Sequence, residues 1–194
     1  MANENQKRWD DKHEHEHHDS SPADFLRHVF SEYVSHLQPG KALDIAAGKG
    51  RNAIFLAERG FRVQAVDISE VALVEGRRLA EEKGLEIVWK QADLETFELP
   101  HDVYDLVLNF NFLERSLIPK MKSTLKLGGH IIFETYLVDQ RVLGHPRNPA
   151  YLLGHNELLH LFRDFRILCY REGRFAEGGK EACRAGLFGQ KPRT

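Results

Sequence analysis

The residues of this sequence that most directly indicate chemistry are two closely spaced glycines. The stretch 43–53 reads as a short apolar strand, a loop containing Gly48 and Gly50, and the start of a helix. Because the two glycines lack side chains, a ligand can approach the backbone there, and the first turn of the helix offers unpaired N–H groups. The spacing therefore predicts a ligand-binding loop, with a plain tight turn as the alternative.

Acidic residues follow three of the predicted strands, at the edge of the sheet where this loop lies. Asp67 ends the second strand, where a carboxylate can accept hydrogen bonds from both hydroxyls of a ribose. Asp93 follows the third strand, where an acid can accept from an adenine amino group. Asp44 lies at the end of the first strand, beneath the loop. Together these acids predict a nucleoside pocket.

Two cofactors compete for this pocket. The spacing of Gly48, Gly50 and Ala53 also satisfies the dinucleotide fingerprint, so a nicotinamide-dependent oxidoreductase is one alternative. Asp67 is compatible with both cofactors, because both contain a ribose. Asp44 distinguishes them, since its carboxylate would repel a pyrophosphate and attract a cation. S-adenosylmethionine carries a sulfonium and an ammonium group and no phosphate, so the acidic surroundings favour it.

The elements that must position these residues alternate between apolar strands and amphipathic helices. Strands are predicted at 42–47, 61–66, 85–90, 103–108 and 130–136, and helices at 21–37, 51–59, 70–83 and 113–125. Strands separated by helices need crossover connections, which give a mostly parallel sheet covered on both faces. Two further strands, 165–170 and 182–189, form a hairpin. The predicted fold is α/β: a three-layer, Rossmann-like domain with a seven-stranded, mostly parallel sheet and a C-terminal antiparallel hairpin.

The loop, Asp67, Asp93 and the terminal hairpin together resemble the class I S-adenosylmethionine-dependent methyltransferase superfamily. Within it, residues 48–52 followed by 55–61 are similar to the small tellurite-resistance-type methyltransferases. The resemblance covers about residues 21–190. It implies S-adenosylmethionine as the cofactor and in-line methyl transfer to a small-molecule acceptor, such as an oxyanion or another small anion.

The resemblance also implies roles for individual residues. The backbone around Ala46, Gly48 and Gly50 would line the methionine part of the cofactor, although the loop of the family begins with glycine where this chain has Ala46. Asp44 would bind the ammonium group, and Asn109 would supply a carbonyl oxygen to it. Asp67 and Ile68 would bind the ribose and one face of the adenine. Asp93 and Leu94 would contact the adenine edge.

The acceptor is expected at the carboxyl ends of the strands, beside the long irregular segment 139–153, which reads as a functional lid. Side chains expected to bind an anionic acceptor there are Tyr136, Arg141, Arg147 and Tyr151, with Arg115 as a further candidate. The two arginines suit bidentate recognition of an anion, and solvated surface cations are the alternative. His145 is a possible general base, with a plain surface histidine as the alternative, and the catalytic residues stay unassigned.

Composition limits the class of protein. The chain has 194 residues and a net charge of −2, which argues against nucleic acid as the partner. It contains no apolar run of about 18 residues and no apolar stretch behind its first residues, so neither a membrane span nor a secretory signal is expected. Its two cysteines are too few for a disulfide framework. These features predict a cytoplasmic protein, monomeric or homodimeric. A non-catalytic regulator that keeps the cofactor pocket is a second alternative.

The chain divides into two parts by composition. Residues 1–20 are polar and rich in histidine, and they are predicted to form a flexible segment before a single cofactor-binding domain over 21–194. The histidine run at 13–18 lacks cysteine and is read as a solvated tail, so no metal is predicted. Trp9 and Phe25 resemble the amino-terminal lid of related enzymes.

Overall fold

The computed structural model describes residues 2–15, 20–177 and 180–193, and a seven-stranded sheet lies at its centre. The strands are β1 Lys41–Ile45, β2 Arg62–Asp67, β3 Ile87–Gln91, β4 Tyr104–Phe110, β5 Leu125–Tyr136, β6 Arg166–Glu177 and β7 Lys180–Gln190. Their order across the sheet is β3-β2-β1-β4-β5-β7-β6. The strands β1 to β5 pair in parallel, whereas β7 is antiparallel to both β5 and β6. The predicted mixed sheet with an antiparallel hairpin is confirmed.

Helices cover both faces of the sheet. They are α1 Ala2–His15, α2 Asp24–Glu32, α3 Arg51–Ala57, α4 Glu70–Glu82, α5 Ile118–Thr124, α6 Gln140–Leu143 and α7 Glu157–Leu161. One apolar core joins α2 and α3 to the sheet through side chains such as Phe25, Leu56 and Phe188. The other joins α5 and α7 to the opposite face, with Met121 and Phe162 at its centre. Among the described residues, no helix combines the length and apolar character needed to cross a bilayer.

The amino-terminal residues 2–15, which lie in the segment predicted to be flexible, form a helix. This helix, α1, docks on α4 through polar contacts: Asp10 Oδ1 accepts hydrogen bonds from the Ser69 hydroxyl at 2.6 Å and from Val71 N at 3.4 Å. Asp10 thus lies at the amino terminus of α4, where unpaired N–H groups and the helix dipole favour a carboxylate. Residues 16–19, which carry much of the histidine run, lie outside the described residues.

The carboxy-terminal hairpin is longer than predicted. β6 and β7 pair from Arg166 and Gln190 to Glu177 and Lys180. The last pair between β5 and β7 joins Tyr136 and Arg184, so the hairpin continues past the end of the rest of the sheet. Its position on β7 brings Arg184 to the edge where the carboxyl ends of β4 and β5 lie.

His130 on β5 is a buried ionisable group. Its ring stacks on Phe188 with 5.4 Å between centroids, and its Nε2 has no hydrogen-bond partner among the described residues. Burial, together with the charges of His36 and Arg193, lowers the pKa of His130 to about 4 from 6.5. The unfolded chain therefore takes up this proton more readily than the folded chain. The resulting contribution to stability is present above pH 6.5 and is lost as the pH falls toward 4.

This linkage gives a testable prediction. Between pH 6.5 and pH 5, we expect the wild-type chain to lose about 1.5 kcal/mol of unfolding free energy relative to His130→Leu, which has no proton to bind at this position. Urea unfolding of both proteins at the two pH values measures the difference. A wild-type-minus-variant difference that is the same at both pH values would contradict the prediction.

Candidate functional site

The loop between β1 and α3 turns through three left-handed residues. Ala46, Gly48 and Gly50 have φ angles of +52°, +55° and +74°, and Gly50 N donates a hydrogen bond to Ala47 O at 2.9 Å. A left-handed backbone costs an ordinary residue about 1–2 kcal/mol. In this chain Ala46 carries that cost.

The indole of Trp89 on β3 packs between this loop and α4. A Cβ atom at Gly50 would lie 2.3 Å from Cη2 of Trp89, and one at Gly76 would lie 2.7 Å from the same atom and 2.8 Å from the Lys49 carbonyl oxygen. The ring therefore fills the space between the two glycines completely. Sequence reasoning missed Trp89, because its contact with them depends on the pairing of β3 with β2.

Asp67 connects the loop to the start of α4. Its Oδ2 accepts a hydrogen bond from Gly48 N at 2.7 Å, and its Oδ1 accepts one from Ser69 N at 2.9 Å. Burial raises the pKa of Asp67, as does the nearby Asp10 carboxylate, while the N–H groups of Ser69 and Gly48 act in the opposite direction. The acid predicted to bind a ribose thus lies directly against the glycine loop.

The helix α1 covers the same loop. The imidazole of His13 lies over Gly48, with its Cε1 at 3.4 Å from the position of a Cβ atom on that glycine. Asp10, one helical turn earlier, holds α1 to the start of α4. A ligand approaching the Gly48 backbone would therefore meet α1.

Two buried oxygen atoms near the loop lack a donor among the described residues: Asp44 Oδ2 and Asn109 Oδ1. Asp44 is on β1, and the pairing of Ile45 with Asn109 brings the ends of β1 and β4 together. The amide nitrogen of Asn109 donates to Phe112 O at 2.8 Å. Buried acceptors without donors fit a ligand that brings N–H groups, such as an ammonium. A pyrophosphate only accepts hydrogen bonds and does not fit them.

The residues predicted for the adenine follow β2 and β3 at the same edge. Gln91 at the end of β3 donates a hydrogen bond from its side chain to Ile68 O at 3.2 Å. Asp93 Oδ1 accepts from Glu95 N at 3.0 Å, and Leu94 is buried. The structure therefore brings these predicted residues to the ends of neighbouring strands, beside Asp67.

A buried arginine that sequence reasoning missed lies on the other side of the β4 end. Arg184 on β7 donates hydrogen bonds to Asn111 Oδ1 and, at 3.0 Å, to the hydroxyl of Tyr136. Its guanidinium carbon lies 4.1 Å from the centroid of the Tyr136 ring. The signal was present in the sequence, because Arg184 is an isolated charge in an otherwise apolar run at 182–189.

An ion pair between a buried glutamate and a half-buried arginine lies near Arg184 in the sheet. Glu134 on β5 is fully buried, and its Oε1 accepts hydrogen bonds from Arg171 Nη2 at 2.6 Å and from Nε at 3.0 Å. The guanidinium carbon of Arg171 lies 4.8 Å from the ring centroid of Phe25 and 4.5 Å from that of Phe175. Phe25 therefore belongs to the core beside this pair, in contrast to the lid role suggested by resemblance.

Arg115, a further candidate for the acceptor pocket, has a structural contact instead. Its guanidinium donates to both carboxylate oxygens of Glu157, at 2.6 and 3.0 Å, and to the carbonyl oxygens of Ala150 and Leu152. These bonds attach the irregular segment 139–153 to the start of α7. Arg115 thus anchors the segment from which the acceptor residues were predicted.

Three of the predicted acceptor residues lie at the surface. Arg141 and Arg147 are exposed, and within the described part of the chain neither is paired with a carboxylate. They line an open cavity of about 490 Å³ together with Val138, Asp139 and Val142. The exposed Tyr151 contacts Arg8 of α1, whose guanidinium carbon is 5.9 Å from the tyrosine ring centroid. Of the predicted acceptor residues, Tyr136 is the one that contacts Arg184.

Comparison with known proteins adds independent evidence. A methyltransferase-domain family matches residues 42–129, which run from β1 into β5. The chain is 27% identical over 143 residues to a probable S-adenosyl-L-methionine-dependent methyltransferase TehB of Haemophilus influenzae, a match that covers 70% of this chain and 49% of the relative. It is 33% identical over 141 residues to a ubiquinone biosynthesis O-methyltransferase of Azotobacter vinelandii, covering 65% of this chain and 56% of the relative. The chain thus spans about half the length of these curated relatives.

Solved structures support the same fold. The crystal structure of TehB from Haemophilus influenzae matches with a TM-score of 0.73 at 21% identity, over 86% of this chain and 61% of that chain. The matched range 42–129 contains the glycine loop, Asp67 and Asn109, whose geometry fits a nucleoside with an ammonium group. In its methyltransferase-domain match, its sheet order and these relatives, the chain is similar to the class I S-adenosylmethionine-dependent methyltransferases.

Proposed function

We propose that this chain transfers the methyl group of S-adenosylmethionine to a small anionic acceptor. The observation that carries the proposal is the buried guanidinium of Arg184, which lies at the carboxyl ends of the strands beside Asn111 and Tyr136. Ligands of open α/β sheets bind at this edge. A guanidinium held there favours carboxylates and oxyanions, because it offers several N–H donors in a fixed plane together with a positive charge.

The cofactor is expected to bind along the ends of β1, β2 and β3. In this proposal Asp67 takes the ribose hydroxyls, and Asp44 and Asn109 take the ammonium group. The backbone at Ala46, Gly48 and Gly50 lines the methionine part, and the remaining contacts, to the adenine, come from Ile68, Asp93 and Leu94. When bound, the cofactor supplies an electrophilic methyl group on a sulfonium.

The protein contributes mainly by position. Arg184 and Tyr136 hold the acceptor so that its nucleophilic atom points toward the methionine side of the loop, and such alignment supplies several kcal/mol of a displacement barrier. An anionic nucleophile presents its lone pair without losing a proton, which agrees with the absence of an assigned general base. The exposed Arg141 and Arg147 add positive charge near this edge and attract anions from solution.

The proposed role of Asp67 gives a further prediction. Asp67→Ala should weaken cofactor binding by about 1.5–3 kcal/mol, tenfold or more, because a charged acceptor for the ribose hydroxyls and for Gly48 N is lost. Calorimetric titration with S-adenosylhomocysteine measures the change. Asp105→Asn is the matched control, because this aspartate binds Lys126 and Lys41 N at the opposite end of β4. Equal affinities for all three proteins would remove Asp67 from the site.

A methyl-transfer assay tests the acceptor class. The full chain is incubated with methyl-labelled S-adenosylmethionine and a panel of tellurium and selenium oxyanions, small carboxylates and thiols, each compared with a neutral analogue of similar size. We expect transfer to anionic members and little to their neutral analogues. Transfer confined to neutral or cationic acceptors would contradict the proposal. Cofactor binding without any transfer would favour a non-catalytic regulator.

A further inference from the structure

Asp44 is the most completely buried acid of the cofactor edge. The residue is 1% exposed, and its Oδ2 has no hydrogen-bond partner among the described residues. Its neighbours across the sheet are the apolar Ala65 and Leu108. An ionised carboxylate is poorly stabilised in such a place, so it must either hold a proton or receive a cation.

The charged groups around Asp44 work against each other. Burial and the neighbouring carboxylate of Asp67 raise the pKa of Asp44 to about 7, while the backbone N–H of Ala53 and the charge of Arg51, both on α3, act in the opposite direction. From α1, Asp10 adds a further negative charge near Asp67. His13, also on α1, lies over Gly48. At neutral pH a large fraction of the chains without cofactor therefore carry a proton on Asp44.

We propose that the ammonium group of the cofactor replaces a proton on Asp44, so that cofactor binding releases one proton to solvent. The O–H bond of the carboxylic acid breaks, its proton goes to water or buffer, and the carboxylate formed accepts an N–H from the ammonium. No other bond changes. The inference rests on the cofactor of the family and is independent of the acceptor.

This proton release makes the affinity for the cofactor fall as the pH is lowered. Below pH 7 the proton must be removed before the carboxylate can bind the ammonium, so affinity should fall about tenfold for each pH unit on the acid side. Above pH 7 the carboxylate is already ionised, and no further gain is expected from this group. The window from pH 5.5 to 6.5 is suitable for measurement, because an α-amino group there keeps its proton.

The experiment is calorimetric titration of the full chain at pH 6 in two buffers of different ionisation enthalpy, which yields the number of protons released. The first probe is S-adenosylhomocysteine. The second is 5′-methylthioadenosine, which has the same nucleoside but no ammonium group. We expect close to one proton released with the first probe and none with the second. Release with both probes would place the proton on Asp67 at the ribose, and release with neither would show that Asp44 is already ionised; either result overturns the proposal.

Asp44→Asn provides the second arm. The amide has the same shape and cannot release a proton, so the variant should bind S-adenosylhomocysteine more weakly, with no proton release and an affinity that is constant between pH 5.5 and 6.5. Proton release that persists in this variant would contradict the assignment. If the variant does not fold, the comparison of the two probes on the wild-type chain still tests whether cofactor binding releases a proton from Asp44.

Discussion

Gly50→Ala should lower the free energy of unfolding by about 2–5 kcal/mol. Two costs contribute to this loss. The left-handed backbone at φ +74° disfavours any side chain by about 1–2 kcal/mol. The new Cβ atom would also lie 2.3 Å from Trp89, and forcing such an overlap in a packed region costs about 1–3 kcal/mol. Withdrawal of Trp89 is restricted, since the same ring atoms, Cη2 and Cζ3, also lie against Gly76. Urea unfolding followed by circular dichroism measures the loss.

Gly84→Ala is the matched control for this variant. Gly84 has a similar φ of +67°, and no atom lies within 4 Å of the position of its Cβ. It therefore carries the backbone cost alone, and the difference between the two variants isolates the contact with Trp89. Equal losses for Gly50→Ala and Gly84→Ala would mean that Trp89 does not restrict the loop.

Arg184→Met should reduce kcat/KM for the acceptor by about 100-fold while leaving the dissociation constant of the cofactor nearly unchanged. The loss of charge-assisted hydrogen bonds to an anion is worth up to about 3 kcal/mol, and Arg184 lies beside Tyr136 rather than beside the glycine loop. Arg184→Lys keeps the charge and loses the planar fork, so an intermediate effect is expected. Steady-state kinetics together with a cofactor titration of each variant separates the two constants.

Arg174→Met is the control, because Arg174 is exposed on β6 of the same hairpin and pairs with Glu181. It should leave both constants unaltered. If Arg184→Met weakened cofactor binding as much as acceptor use, Arg184 would belong to the cofactor pocket or to the general stability of the sheet, and the proposed acceptor class would lose its main support.

The parts of the fold that were predictable from the sequence are those that bury apolar side chains in a regular pattern. The strands β1, β2 and β4 are short, largely apolar runs, and the helices between them carry apolar residues at helical spacing. Their succession along the chain and their mostly parallel pairing were therefore predictable. The loop at Gly48 and Gly50, followed by Asp67, was recognisable because its residues are close in sequence and lie at strand ends.

The helix α1 was not predictable in this way. Its sequence is polar, and it docks through the Asp10 contact with Ser69 and Val71, a tertiary interaction that leaves no apolar stripe. The extra length of the hairpin was hidden for a related reason: beyond Arg184, β6 and β7 pair with each other without β5 beside them, so the alternation of buried and exposed residues is weak.

The residues of the acceptor pocket were also not predictable from short-range sequence patterns. Arg141 and Arg147 of the irregular segment 139–153 were predicted to bind the acceptor, yet both lie at the surface. Arg115, the further candidate, binds Glu157 and so anchors this segment. Arg184 reaches Asn111 from a strand far along the chain. Contacts between residues so distant in sequence depend on the sheet order, which short-range patterns do not contain. An isolated charge in an apolar strand was the available clue.

The most direct test of the account is a crystal structure of the chain with S-adenosylhomocysteine. We expect the nucleoside over Gly48 and Gly50, its ribose hydroxyls on the carboxylate of Asp67, and its ammonium group within hydrogen-bond distance of Asp44 or Asn109. A nucleoside bound elsewhere, or one whose ammonium group points away from both buried oxygens into solvent, would contradict it.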